Sequence, residues 1–125
     1  MLGWHISIYR QKDGGQAAPT AESPEGARLA VWQTGLGGLD WLDELVKSGK
    51  AISLGGNGYP TRFTAIAEHL VPRILEQPPG ARTPWTYDAH DIHTDKWEGQ
   101  TVINRAAAAQ CQASEWLLVV AWDES

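Results

Sequence analysis

The sequence predicts a single α/β (α+β) domain, residues 1–125, in which a mixed sheet of four or five strands carries about three packed helices. Three observations predict it. Residues 4–9 alternate in side-chain type, residues 39–46 place leucines at helical spacing, and residues 116–122 form an unbroken apolar run suited to a strand covered on both faces. The length of 125 residues suits one domain. A chain of this size hides roughly two-thirds of its unfolded surface and needs no disulfide or metal staple.

The elements follow in order. Trp4, Ile6 and Ile8 fall on one side of a first strand, with His5, Ser7 and Tyr9 on the other. Residues 11–27 turn polar and small, with Gly14, Gly15, Pro19, Pro24 and Gly26, and read as a mobile loop. A second strand over 28–34 runs into Gly35-Leu36-Gly37-Gly38. Leu39, Leu42, Leu45 and Val46 then make a helical stripe with Trp41 at its margin. Acids lie early in this helix (Asp40, Asp43, Glu44) and bases late (Lys47, Lys50), as the helix dipole favours.

Gly55-Gly56-Asn57-Gly58 marks a hairpin, with Asn-Gly expected to take positive φ. Phe63, Ile66, Ala67, Leu70 and Ile74 predict a second helix over about 63–76, kinked or split at Pro72. Residues 77–84 read as a connector, and 85–97 as extended or loop. Val102, Ala106 and Ala109 predict a third helix within 101–113. The run from Trp116 to Trp122 completes the sheet as its central strand.

Charge narrows the function. The net charge is −5, and residues 1–82 balance eight acids against eight bases. Residues 83–125 carry seven acids against Lys96 and Arg105, so the whole excess lies in the last third. No cluster of Lys and Arg is present to release counterions, which argues against nucleic acid as a direct partner. The longest apolar run is far below the ~20 residues of a spanning helix, and the start lacks the pattern of a signal peptide. With Cys111 as the only cysteine, a reducing, cytoplasmic location is expected, with no membrane partner.

Three segments have the residue types for chemistry. In Thr34–Asp40 a glycine-rich turn enters a helix, a layout that can cradle phosphate, but Asp40, Asp43 and Glu44 crowd negative charge there. A tight structural turn is the better reading. Gly55, Gly56, Gly58, Thr61 and Arg62 offer backbone N–H groups, a hydroxyl and a guanidinium, with no acid between Lys50 and Glu68. Such a turn can bind an anion, or its glycines can serve the hairpin alone. Asp88, His90, Asp91, His93 and Asp95 make a dense set of oxygen and nitrogen donors. They fit no zinc spacing, and a calcium loop starting at Asp91 would have Lys96 in place of its glycine and Val102 in place of its glutamate. The better reading of the segment is a solvated acidic loop.

Seven tryptophans are the compositional oddity. Trp4, Trp32, Trp116 and Trp122 fall in strands and read as packing. Trp85 and Trp97 bracket the acidic segment, either as aromatic anchors at an interface or as the roof of a small satellite core. Cys111 has no basic neighbour in sequence and reads as a small buried side chain. No Gly-x-Ser-x-Gly elbow or other catalytic signature stands out.

Two functions are therefore expected. The first is a non-catalytic binding module, an acidic protein of the inhibitor, immunity or antitoxin type that neutralises a basic partner through Trp85, Asp88, Asp91, Asp95 and Trp97, with no cofactor. The second is a small enzyme or ligand-binding domain. It would use the Gly55–Arg62 turn for an anion, or His90, Asp91, His93 and Asp95 for a metal.

Overall fold

A computed structural model describes residues 3–12, 15–19, 25–34, 37–57, 60–76, 85–88 and 101–123. In chain order these form β1 (Trp4–Gln11), β2 (Glu25–Thr34), α1 (Asp40–Lys47), β3 (Ile52–Gly56), β4 (Thr61–Ile66), α2 (Ala67–Glu76), β5 (Trp85–Asp88), β6 (Thr101–Asn104), α3 (Arg105–Gln110) and β7 (Trp116–Asp123). The strands build one sheet in the order β3-β4-β7-β1-β2-β6-β5. Every neighbouring pair is antiparallel except β5 with β6, so the sheet is mixed and the class is α+β.

Register explains the core. Ile6 lies opposite Trp32 and Ala121, Ile8 opposite Ala30 and Val119, and Phe63 opposite Val119. Alternation places these side chains on one face of the sheet. There they join Trp41, Leu42 and Leu45 of α1, Leu70 and Ile74 of α2, and Ala107 of α3 in one buried cluster. The reverse face is not polar throughout: Val31, Leu118 and Val120 are buried on it. Strand β7 is therefore buried from Leu117 to Ala121 without a break, the pattern its apolar sequence requires.

The sheet has seven strands among the described residues, more than the four or five expected. Two of the additional strands come from segments read as helix. Residues 61–66 are β4, and α2 begins only at Ala67. The spacing of Phe63, Ile66 and Leu70 suits a helix, but Thr61, Phe63, Thr64 and Ile66 are β-formers, and pairing with β7 decides their state.

Residues 101–104 are β6, and α3 is confined to Arg105–Gln110. The side chain of Asn104 accepts a hydrogen bond from the Ala107 N–H at 3.0 Å, an N-cap that sets the boundary. With the helix starting there, Ala107 and Ala108 are buried, while Ala106 and Ala109 face outward.

Helix α2 runs unbroken through Pro72. Pro72 and Glu68 are both exposed, so water can satisfy the Glu68 carbonyl that lacks its donor. Its first N–H groups are capped by the turn before β7: Ala67 N–H donates to Glu115 O at 2.8 Å and Glu68 N–H to Ala113 O at 3.0 Å.

The β3–β4 hairpin forms as expected, and among its described residues Gly55 and Gly56 take positive φ while Asn57 does not. Gln11 belongs to β1 and Glu25–Ala27 to β2, which shortens the connection read as 11–27. Within that connection Gly15 and Pro19 are buried, and Gly15 O accepts from Trp116 N–H at 2.8 Å. Trp41, expected at a helix margin, is buried against Trp32 with ring centroids 6.2 Å apart. Trp122, expected in the core, is 42% exposed.

Candidate functional site

Strand order fixes where the two sequence-derived sites lie. The Gly55–Arg62 turn belongs to β3 and β4 at one end of the sheet, and Asp88 closes β5 at the other. Six inter-strand steps separate the two edge strands, about 29 Å at 4.8 Å each, so Asp88 lies far from the turn.

In the turn, Gly55 lies opposite Arg62 and Gly56 opposite Thr61. A Cβ on Gly56 would collide with the Pro60 carbonyl and lie 2.7 Å from Thr61 Cα, and its φ is +127°. Close chain approach therefore accounts for this glycine. Gly55 N–H donates to Ser53 Oγ at 3.4 Å, and Arg62 is half-buried. Gly58 lies outside the described residues.

In the Thr34–Asp40 turn, close packing accounts for Gly38, and Gly35 and Leu36 lie outside the described residues. A Cβ on Gly38 would run into the side chain of Thr34, itself fully buried, and Asp40 N–H donates to Gly37 O at 3.1 Å. The acids Asp40 and Asp43 occupy the first turn of α1.

Of the acidic segment, Trp85 and Asp88 begin and end β5, with Asp88 opposite Asn104 of β6. His90, Asp91, His93, Asp95 and Trp97 lie outside the described residues. Among the described residues no group of three or more His, Cys, Asp or Glu is placed to hold a metal. No described helix is long and apolar enough to cross a membrane.

Folding also joins residues that sequence separates. Arg10 at the end of β1 makes a two-pronged contact with Glu115, Nε to Oε2 at 2.8 Å and Nη2 to Oε1 at 3.0 Å. The Glu115 side chain is 4% exposed, so one of the seven acids of the last third is neutralised inside the fold. Beside it, Gln11 Nε2 donates to Ala17 O at 3.0 Å and Trp116 O at 3.1 Å, tying the β1–β2 connection to β7. Cys111 lies against the same pair, and its Sγ donates to Ala107 O at 3.6 Å. Burial, and then the charge of Glu115, push its thiol up to about 11, so it is a poor nucleophile, as read.

A cleft of about 590 Å³ opens between the end of α1, α2 and the start of α3. Among the described residues, Lys50, Arg73, Arg105 and Glu68 line it with Leu45, Pro72 and Leu75. Sequence reasoning did not find it, because its cations are scattered from residue 50 to residue 105 and meet only when the helices pack. No family model, no curated protein and no solved structure matches this chain.

Proposed function

We propose that the protein is a non-catalytic binding module that engages a basic partner protein through its acidic segment, as inhibitors, immunity proteins and antitoxins do. The charge distribution carries this reading: the excess of acid over base is confined to residues 83–125. Glu115 is paired internally and adds nothing to that surface. The reading therefore rests on Asp88, Asp91 and Asp95, with Trp85 and Trp97 as aromatic anchors. A strip of like charge raises the rate of encounter with a basic surface more than it slows dissociation.

The test is recovery of the full chain with a stoichiometric basic partner from its native cell, followed by binding kinetics. Replacing Asp88, Asp91 and Asp95 together by Asn lowers kon about tenfold and leaves koff within about twofold. An unchanged kon overturns the reading. The donor density of His90, Asp91, His93 and Asp95 supports a metal site as the second reading. A melting shift of several degrees with Zn²⁺, Mn²⁺ or Ca²⁺, lost in His90→Ala/His93→Ala, puts that reading first.

A further inference from the structure

We propose that the β3 edge of the sheet, with Arg62 and Trp122 behind it, docks an extended acidic segment of a partner protein as an added strand. This surface lies at the opposite end of the sheet from Asp88, and its test does not depend on the acidic segment.

Strand β3 ends the sheet, and among the described residues no strand pairs with its outer edge. Four of its five residues are exposed, and Leu54 is half-buried. Exposed edges are commonly blunted by charge or proline. Ile52–Gly56 contains neither. Its short length and a register shift between Ser53 and Gly55 limit how much chain it can pair. Such an edge suits a short added strand, whose main-chain hydrogen bonds supply affinity and whose side chains supply specificity.

The side chains behind the edge define what that strand carries. Arg62 lies opposite Gly55 on one side and Val120 on the other, and Thr64 lies opposite Ile52. Alternation puts Ile52, Arg62 and Trp122 on one face, the reverse of the face that holds Phe63. Ile52 and Trp122 are the two exposed large hydrophobic residues among those described, at 45% and 42%. They stand diagonally on either side of Arg62, within reach of long side chains. Arg62 makes no ion pair among the described residues, and the sequence has no acid between Lys50 and Glu68. A Cβ on Gly55 would meet nothing within 4 Å, so the space between Arg62 and the edge is open. One strand spacing, about 4.8 Å, is within the span of an arginine side chain. An incoming strand therefore meets a cation flanked by two apolar side chains. Its complement is a carboxylate flanked by apolar side chains on alternate residues. Arg and Trp are also the side chains most enriched where binding energy concentrates.

The probe is a capped peptide with a central glutamate, valine two residues to either side and threonine between them, titrated into the full chain by NMR. It is expected to bind with a Kd below about 1 mM and to move the amides of Ile52–Gly56 and the Trp122 indole. Exchanging the peptide glutamate for glutamine, or Arg62→Gln in the protein, weakens binding about fivefold, the scale of one exposed charge-assisted contact. The two changes together weaken it little beyond either alone, as a direct pair requires. N-methylation of the peptide amides that face β3 abolishes binding. Ile52→Thr keeps a strand-forming residue at an exposed position, retains the fold in a melting curve, and weakens binding about threefold. Arg73→Gln, on α2, leaves Kd unchanged. No shift at 5 mM peptide, shifts centred on β5 and β6, or equal affinity for the glutamine peptide overturns the proposal. Concentration-dependent dimerisation that broadens the β3 amides without peptide gives the edge to a second copy and likewise overturns it.

Discussion

Glu115 is the most deeply buried acid among the described side chains, and its cost is offset by one partner that reaches in from the edge of solvent. The two partners are unequal, because the Arg10 side chain is 27% exposed and that of Glu115 only 4%. Arg10→Leu strands a buried carboxylate, whereas Glu115→Gln leaves a guanidinium that water can reach. Urea unfolding is expected to show about 2–4 kcal/mol lost in the first and about half that in the second, with Arg10→Leu/Glu115→Leu milder than Arg10→Leu alone. Equal single-variant losses would contradict this account.

Cys111 reports on the same pair. Its pKa is raised in the fold, so stability from this thiol is complete below about 9 and is lost as pH rises through about 11. Alkylation rates should follow thiolate formation near pH 11 and shift to lower pH in Glu115→Gln, since one of the two main causes is removed. The inertness of Cys111 was legible from its Ala and Gln neighbours. The Arg10–Glu115 pair beside it was not, because 105 residues separate the two partners along the chain.

At the level of elements, Gly38 is the more constrained of the two described glycines in the turn between β2 and α1. Gly38 has no room for a Cβ because Thr34 fills the space, while a Cβ on Gly37 meets only the Asp40 carboxylate at 3.3 Å. Gly38→Ala should cost about 1–3 kcal/mol and Gly37→Ala less than about 0.5 in the same melt, and reversal of that order would refute the packing argument. Elements with a single strong signal were legible: α1 from its leucine stripe, β1 from alternation, and β7 from its apolar run. The short β4 and β6 were not. Their residues also fit the periodicity of the helix that follows, and only pairing with β7 and β2 resolves the ambiguity. Where a cap existed, in Asn104, the boundary signal was present but overshadowed by the alanines beyond it.

For the whole molecule, β7 is the strand that unites the sheet. The β3–β4 hairpin and the β1–β2 pair lie on opposite sides of β7, and among the described residues no other strand joins them. Without β7, one edge of β1 and one edge of β4 lose every inter-strand partner, and Ile6, Ile8, Phe63 and Ala65 lose the Leu117, Val119 and Ala121 side chains between them. Neither half has a complete core of its own, since the buried cluster runs continuously from α1 through the sheet to α2. Folding is thus expected to be all-or-none, and slow for the size of the chain, because pairing of β1 with β7 closes nearly the whole sequence into one loop. The full chain should show a single calorimetric transition. A chain ending at residue 115 should show no sigmoidal melt and no amide protection in either β1 or β4. Val119→Asp, which puts an unpartnered charge at a fully buried position of β7, should reproduce the truncation. A truncated chain that keeps a cooperative melt, or protection confined to one half, would show instead that the two sides of the sheet fold as separate units.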